Sequence, residues 1–229
     1  MSELLHRVLE AARVAEDQDR RERLVYAGAF FATAYVLSLR GPEGILMDLE
    51  GLLEHNSRPG QKHMVFALLG TVKGEHHARQ HLLPSTFKTD SGIDMRMWLH
   101  LVLGLHKRKN RTTGPAFVDE RGNQLQGADL NAEFVDFLSE IWEDSPELFP
   151  PNVNSLGAVR EKYNVFRSLR KGSNSTAIAK QVSPTDRFVV NRWQKKEKAG
   201  TNNPSLPLDQ YYADIQLLTA SFLRYTQAM

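Results

Sequence analysis

Residues 24–43 read LVYAGAFFATAYVLSLRGPE and contain the longest apolar run of the 229-residue chain. The run extends over sixteen residues, from Leu24 to Leu39, and arginines lie on both sides of it. A helix that crosses a membrane needs about 20 consecutive apolar residues. We therefore expect a buried core helix over residues 21–39, around which the rest of the domain packs.

The predicted core helix ends at an arginine that is followed by a helix break. Gly41-Pro42 comes directly after Arg40, and a proline suits the first turn of a new helix. We expect that second, short helix to extend from Glu43 to Leu53. Arg40 should therefore lie at a junction between two helices, at the edge of the core.

The remaining patterns predict a mainly α fold with a small antiparallel β-sheet (α+β). Apolar residues recur at helical spacing in several segments, whereas two neighbouring segments look like the strands of a hairpin. The predicted helices are 3–17, 91–106, 129–143, two within 166–193, and 208–228; the strands are 63–72 and 76–84. Residues 114–125 resemble a short strand and turn, and residues 144–157 a connection. We expect a helical arm at 1–20 and one compact domain at 21–229.

The composition is that of a globular domain and excludes several kinds of chemistry. Hydrophobic residues make up 41% and charged residues 24% of the chain. Because the net charge is only +2, any nucleic-acid interface depends on how the charge is distributed. The lack of cysteine excludes disulfides, thiolate metal sites and a cysteine nucleophile. The charged, amphipathic first twenty residues do not resemble a signal peptide.

A second stretch, FRSLRKGSNSTAIAKQVSPTDRFVVNRW (166–193), concentrates positive charge on one predicted helix. A helix that starts near Arg167 places Arg167, Arg170 and Lys171 on one side. Like charges at this spacing repel one another. Either an anion lies over this face or water solvates it, and these residues alone leave both possibilities open.

The order of certain residues along the chain is more informative than any one of them. Arg40 at a helix break is followed by Lys73 at a hairpin tip, then by RSLR (167–170), by Trp193 and by a tyrosine on the last helix. Taken singly, each has an ordinary structural explanation, such as a helix-end cation, a solvated turn or a core aromatic residue.

Three motifs in this order resemble those of the tyrosine recombinase (phage integrase-like) catalytic domain. LRGPE (39–43) is similar to the first arginine motif of that family. RSLR (167–170) is similar to its His-x-Leu-Arg motif, and VNRW (190–193) to its third motif. The resemblance covers roughly residues 20–229 and is greatest to the Crypton-type branch of eukaryotic mobile elements.

The resemblance implies site-specific breaking and rejoining of DNA through a covalent 3′-phosphotyrosyl intermediate. Arg40 and Arg170 would clamp the phosphate, and Lys73 would protonate the departing 5′-oxygen. Glu43 would orient Arg40. The implied catalytic set is completed by two assisting residues and the nucleophile: Arg167, Trp193 and Tyr212. No cofactor is expected, because the phosphotyrosyl bond conserves the energy needed for rejoining, and the chain has no GxxxxGK[ST] phosphate loop.

The choice of nucleophile lies between two adjacent tyrosines. A helix would point Tyr211 and Tyr212 about 100° apart, so that only one could face the phosphate. Tyr212-Ala213-Asp214 matches the family's ending better. The sequence therefore favours Tyr212.

Further basic residues are candidates for contacts with DNA phosphates. HKRKNR (106–111) is either such a patch, a localisation signal or a solvated helix end. The candidates are Lys107, Arg108, Lys109, Arg187, Arg192, Lys195 and Lys196. We expect double-stranded DNA as partner, a homo-oligomer on DNA, no membrane and no metal, since no carboxylate or cysteine completes a site around His76, His77 and His81. The location would be the nucleus in a eukaryote and otherwise the cytoplasm.

Two departures from the family pattern support an alternative. Arg167 stands where a histidine is most common, which removes a possible base, and residues 198–207 lengthen the interval between Trp193 and the tyrosine. Only about twenty residues precede the core helix, whereas family enzymes usually carry a separate DNA-clamping domain there. The alternative is a catalytically inactive, recombinase-derived DNA-binding protein. A third hypothesis, a helical interaction protein, predicts that Arg40, Lys73, Arg170 and Trp193 do not converge.

Overall fold

The fold is mainly helical with one two-stranded antiparallel sheet, as expected from the sequence. A computed structural model describes residues 1–57, 60–70, 78–191 and 215–229. No helix in these ranges is long and apolar enough to span a membrane. The elements are α1 (Ser2–Val14), α2 (Gln18–Val36), α3 (Gly41–Gly44), α4 (Leu49–Asn56), β1 (Met64–Gly70), β2 (Arg79–Ser85), α5 (Met95–Arg108), α6 (Gly127–Asp144), α7 (Leu156–Lys162), α8 (Val165–Ala179), α9 (Pro184–Asn191) and α10 (Ile215–Ala228).

Helix α2 is the centre of the core. Asp17 caps its first turn by accepting a hydrogen bond from the backbone N–H of Arg20 at 2.9 Å. The helix packs against α1, α5 and α8, and from Leu24 to Val36 every residue is buried. A helix that is apolar on all sides needs such surroundings, since it has no face to offer to water.

The predicted end of α2 at residue 39 is wrong by three residues. The helix ends at Val36, and Ser38 adopts a left-handed backbone conformation with φ of 52°. Leu37 and Leu39 remain buried beyond the helix, so the apolar pattern continues where the helix does not. The turn is held by the Ser38 hydroxyl, which donates to Asn191 Oδ1 at 2.8 Å.

The hairpin has the predicted pairing, with strands close to the expected ranges. Met64 lies opposite Ser85, and Gly70 opposite Arg79. Helix α4 packs on β1, and α10 packs on β2. The connection that contains Lys73 lies outside the described residues.

Short helices account for the other differences from the sequence prediction. The predicted helix from Glu43 to Leu53 is two helices, α3 and α4, separated by residues 45–48, of which Met47 forms a backbone bridge with Leu68. Helix α7 was not predicted, because seven residues give too little periodicity to detect. Its one local signal is Ser155, whose hydroxyl accepts from the N–H of Ala158 at 3.1 Å.

The two terminal helices both pack into this core. Helix α1 buries Leu4, Leu5 and Val8 against the rest of the domain. Helix α10 packs within the same chain on α8, α9 and β2. The Tyr225 hydroxyl lies 2.9 Å from Ser173 Oγ, and Arg224 holds Asp186 through two hydrogen bonds of 2.9 and 2.7 Å.

Candidate functional site: an arginine pocket between helices α3 and α8

The first arginine motif forms a compact turn around Glu43. The backbone N–H of Arg40 donates to Glu43 Oε2 at 2.9 Å, which caps α3. Arg40 Nη1 lies 3.3 Å from the other carboxylate oxygen. Glu43 is buried, whereas the Arg40 side chain is 31% exposed. The carboxylate therefore lies beneath the guanidinium and orients it towards solvent.

The same carboxylate reaches the second arginine motif. Arg170 Nη1 lies 3.6 Å from Glu43 Oε2, and the Arg170 side chain is only 11% exposed. Arg170 Nη2 also donates to the backbone oxygen of Asn191, at the end of α9. Arg40 and Arg170 are 130 positions apart in the sequence, yet they contact one buried carboxylate and hence lie side by side.

Asn191, at the end of α9, contacts both Arg170 and the turn that follows α2. Its side chain is fully buried, accepts from Ser38 and donates to the backbone oxygen of Arg187 at 2.8 Å. Its own backbone oxygen accepts from Arg170. The end of α2 and the end of α9 are thereby tied together at the point where Arg170 is held.

Two glycines allow α8 to approach the first motif closely. A Cβ atom on Gly41 would lie 1.8 Å from Phe166 Cδ1 and 2.7 Å from Phe166 Cα. A Cβ atom on Gly127 would lie 2.0 Å from Phe166 Cζ. The Phe166 ring is thus enclosed between the two glycines. Larger residues at either position would displace α8, which carries Arg167 and Arg170.

A cavity of about 420 Å³ opens between these elements, within the size range of small-molecule sites. Four of the described residues that line it are cationic, and none is acidic. Glu43 lies below the lining and offsets one positive charge. The lining residues are Arg40, Pro42, Phe166, Arg167, Arg170, Lys171 and Asn174.

One face of α8 provides most of this lining. Arg167, Arg170, Lys171 and Asn174 are separated by three and four positions and therefore share a face. The opposite face buries Val165, Leu169, Ser173 and Ala177 in the core. The positive face is thus fixed by the packing of the apolar one.

Three of the six predicted catalytic residues lie together in this pocket: Arg40, Arg167 and Arg170. The other three, Lys73, Trp193 and Tyr212, lie outside the described residues, as do the predicted DNA contacts Arg192, Lys195 and Lys196. The convergence of Arg40 and Arg170 contradicts what the interaction-protein hypothesis predicts for this pair.

The four tyrosines within the described ranges are poor candidates for a nucleophile. Tyr26, Tyr35 and Tyr225 are buried. Burial raises the pKa of Tyr26 to about 12 and also raises that of Tyr35 and Tyr163. A nucleophilic phenol needs access to its substrate and a hydroxyl that can lose its proton.

The basic run at residues 106–111 does not belong to the arginine pocket. Lys109 Nζ lies 2.5 Å from Glu22 Oε2, near the start of α2, whereas Arg40 follows its end. At 1.5 Å per residue, Glu22 is on the order of 20 Å from the C-terminal end of α2 at Val36. His106 is buried beside the backbone oxygen of Ala116, and burial lowers its pKa. Lys107, Arg108, Lys109 and Asn110 are the exposed residues of this run.

Hydrogen bonds lower the pKa of Glu22 in spite of its burial. Burial alone would raise the pKa of Glu22, but hydrogen bonds from Lys109 and Gln18 outweigh it and lower the pKa. Lys109 is therefore engaged within the protein.

Arg187, on α9, donates from Nε to the backbone oxygen of Val182 at 3.2 Å.

Sequence reasoning missed three residues of the site. Asn191 stands in the VNRW motif, but nothing in the sequence indicates that its backbone oxygen holds Arg170. Lys171 was recognised as part of the basic face without being assigned to the site. Asn174 lies seven positions after Arg167, and this helical spacing is the signal that could have identified it.

Comparison of the chain with models of known protein families, with curated proteins and with solved structures gave no match. The geometry and charge of the arginine pocket are consequently the basis for proposing a function. The chemistry of that pocket suits an anion, because guanidinium groups remain charged at any physiological pH and are donors in a fork that matches carboxylates and phosphates.

Proposed function

We propose that the protein breaks and rejoins DNA by a tyrosine nucleophile, as the catalytic domain of a tyrosine recombinase does. The observation that carries the proposal is the pair of guanidiniums, Arg40 and Arg170, held side by side by the buried carboxylate of Glu43. A lone structural ion pair needs one arginine. Two arginines on one carboxylate carry one positive charge more than it neutralises, and both line the cavity above them.

The chemistry of phosphoryl transfer accounts for this arrangement. The tyrosine hydroxyl loses its proton to solvent as its oxygen attacks a DNA phosphodiester, and negative charge grows on the non-bridging oxygens of the phosphorus. Arg40 and Arg170 bind and stabilise those oxygens in the transition state. Removing one preorganised donor of this kind typically slows a reaction by about 10²–10³-fold. The bond to the leaving 5′-oxygen breaks, and that oxygen takes up a proton from a general acid, which we assign to Lys73.

A second candidate is DNA binding without cleavage. Arg167 favours it, because an arginine in the place of a histidine can donate hydrogen bonds but cannot exchange a proton near neutral pH. The described lining of the pocket contains no histidine. This candidate retains the same phosphate-binding residues and differs only in whether a covalent bond forms.

Trapping of a covalent adduct distinguishes the two candidates. The protein is incubated with nicked duplexes of randomised sequence, and adducts that survive denaturation are isolated and sequenced. We expect an adduct with the wild type and none with Tyr212→Phe, with Tyr211→Phe as the matched control. Arg170→Lys should lower the single-turnover rate of adduct formation about 10²-fold or more, because lysine lacks the planar fork.

Three other results of this experiment would change the nucleophile or the choice between the two candidates. An adduct that persists in Tyr212→Phe and disappears in Tyr211→Phe reassigns the nucleophile. Salt-dependent binding of duplexes without any adduct supports the second candidate. If the protein binds no duplex at low salt, both candidates are wrong.

A further inference from the structure

The arginine pocket is longer than the site of a single phosphate. It follows α8 from Arg167 to Asn174, which is about 10 Å at 1.5 Å per residue. Arg40 and Arg170 lie near one part of it, because both contact Glu43. Lys171 and Asn174 continue the lining towards the C-terminal end of α8, up to about one turn beyond Arg170.

The charge of the pocket also exceeds what one phosphodiester requires. The described lining carries four positive charges, of which Glu43 offsets one, whereas a phosphodiester carries one negative charge. Lys171 is exposed and forms no ion pair with a described acidic residue. An additional phosphate can therefore bind at Lys171 without competing with a carboxylate of the described residues.

Asn174 gives an independent indication of a bound ligand. Its Oδ1 atom is buried and has no hydrogen-bond partner in the part of the chain that the structure describes. Buried amide oxygens in proteins are nearly always hydrogen-bonded. This amide lines the pocket, so a molecule bound there is in a position to complete its hydrogen bonding.

We infer that Lys171 and Asn174 bind the nucleotide next to the phosphate held by Arg40 and Arg170. Lys171 neutralises the neighbouring phosphate of the same strand, and the Asn174 amide forms hydrogen bonds with that nucleotide. The inference rests on the proposed function. It adds a second subsite that holds the DNA strand in register over the arginine pair.

The salt dependence of DNA binding separates the charged contact of Lys171 from the neutral contact of Asn174. The affinity of each variant for a short mixed-sequence duplex is measured by fluorescence anisotropy over a range of KCl concentrations. Lys171→Ala should reduce the slope of log K against log salt concentration by about 1, as expected for one lost phosphate contact. Asn174→Ala should weaken binding by about 2–10-fold with an unchanged slope, because the amide is neutral.

Lys180, the C-cap residue of α8, provides the matched control. It is exposed like Lys171, but nine residues at 100° each place it on the opposite side of α8. Lys180→Ala should leave both affinity and slope as in the wild type. Thermal unfolding of all three variants shows whether each remains folded, which we expect because these substitutions remove no core packing.

A neutral phosphate analogue identifies the contact itself. Methylphosphonate replaces one backbone phosphate at a time in the trapped substrate, or in a bound duplex if no adduct forms. At one position next to the phosphate held by Arg40 and Arg170, the substitution should weaken binding by the wild type. It should have no further effect on binding by Lys171→Ala. An unchanged slope in Lys171→Ala, or equal effects of Lys171→Ala and Lys180→Ala, would overturn the inference while leaving the proposed function intact. Failure of the wild type to bind any duplex overturns both.

Discussion

Glu43 determines the geometry of the arginine pair, although it carries the opposite charge to the ligand we propose. Its two oxygens contact Arg40 and Arg170, and one of them also accepts the backbone N–H of Arg40. A buried carboxylate is costly unless it is paired. The same contacts that satisfy Glu43 therefore hold both guanidiniums in place before any DNA arrives, which is the condition for electrostatic stabilisation of a transition state.

Replacement of Glu43 tests this dual role. Glu43→Ala should lower the free energy of unfolding by about 3–5 kcal/mol, because it leaves two guanidiniums without their buried partner. Glu43→Gln should cost less, since an amide oxygen can still accept from Arg40. Urea unfolding measures the difference. The control is Glu50→Ala at an exposed position of α4, with an expected change of about 0.5 kcal/mol or less; an equal loss for Glu43 and Glu50 would contradict the assignment.

At the scale of elements, the pocket depends on how closely α8 lies to the turn at residues 41–44. Gly41→Ala would place a methyl group on the backbone and ring of Phe166. We expect a loss of about 1–3 kcal/mol in the free energy of unfolding, as is usual for overpacking. The displacement of α8 should also weaken duplex binding, because it separates Arg40 from Arg170.

Gly104→Ala is the matched control for Gly41→Ala. Gly104 lies inside α5, and an added Cβ atom would meet nothing within 4 Å. Alanine is favoured over glycine in a helix interior by about 0.5–1 kcal/mol, so this variant should be more stable than the wild type. A Gly41→Ala protein with wild-type stability and DNA affinity would show that the close approach of α8 is not required.

The contact between α9 and α10 should give a pH-dependent contribution to stability. Burial alone would raise the pKa of Asp186. Hydrogen bonds from Arg224, Ser221 and Ser183 outweigh burial, so the pKa is lowered. A carboxyl with a lowered folded pKa stabilises the fold above its unfolded pKa of about 3.9. That contribution is lost as the pH falls through the folded pKa.

Arg224→Ala removes the principal partner of Asp186 and leaves burial to dominate its pKa. The variant should be less stable than the wild type at pH 7, and the difference should shrink as the pH falls below about 4. Urea unfolding at a series of pH values measures this. As a control, the effect of Arg224→Ala on stability should be nearly independent of pH in an Asp186→Asn background. If the stability difference between the wild type and Arg224→Ala does not change with pH, Asp186 does not cause it.

The sequence predicted long elements well and their junctions poorly. Helices α2, α5 and α6 have enough turns for the apolar period to emerge, and β1 and β2 have the composition of a hairpin. The end of α2 was misplaced because Leu37 and Leu39 are buried without being helical. Ser38 turns the chain through a tertiary hydrogen bond to Asn191, and no local rule predicts a contact over 153 positions.

The residues of the site show the same division between what a local pattern predicts and what tertiary packing decides. Arg40 and Arg170 were predicted from motif resemblance, and each lies where a helix presents it to the pocket. Their common contact with Glu43 could not be predicted, because it depends on the packing of Phe166 between Gly41 and Gly127. Lys171 and Asn174 follow from the period of α8 once its buried face is known.

At the scale of the whole molecule, two of the basic regions among the described residues lie near opposite ends of α2. The net charge is only +2. The arginine pocket lies past the C-terminal end of α2, and Lys107, Arg108 and Lys109 lie near its N-terminal end. Regions on the order of 20 Å apart can contact one duplex at different phosphates.

The basic run should therefore contribute affinity without sequence preference. Lys107→Ala and Arg108→Ala should each weaken binding equally for all duplex sequences and reduce the salt slope by about 1. Lys109→Ala should change the slope less, because Lys109 is already paired with Glu22 at 2.5 Å. Its effect should appear in the free energy of unfolding instead. Anisotropy titrations with several duplex sequences and salt concentrations measure the slopes. A slope unchanged by Lys107→Ala and Arg108→Ala together would mean that this end of α2 faces away from DNA, and that the duplex is held at the arginine pocket without it.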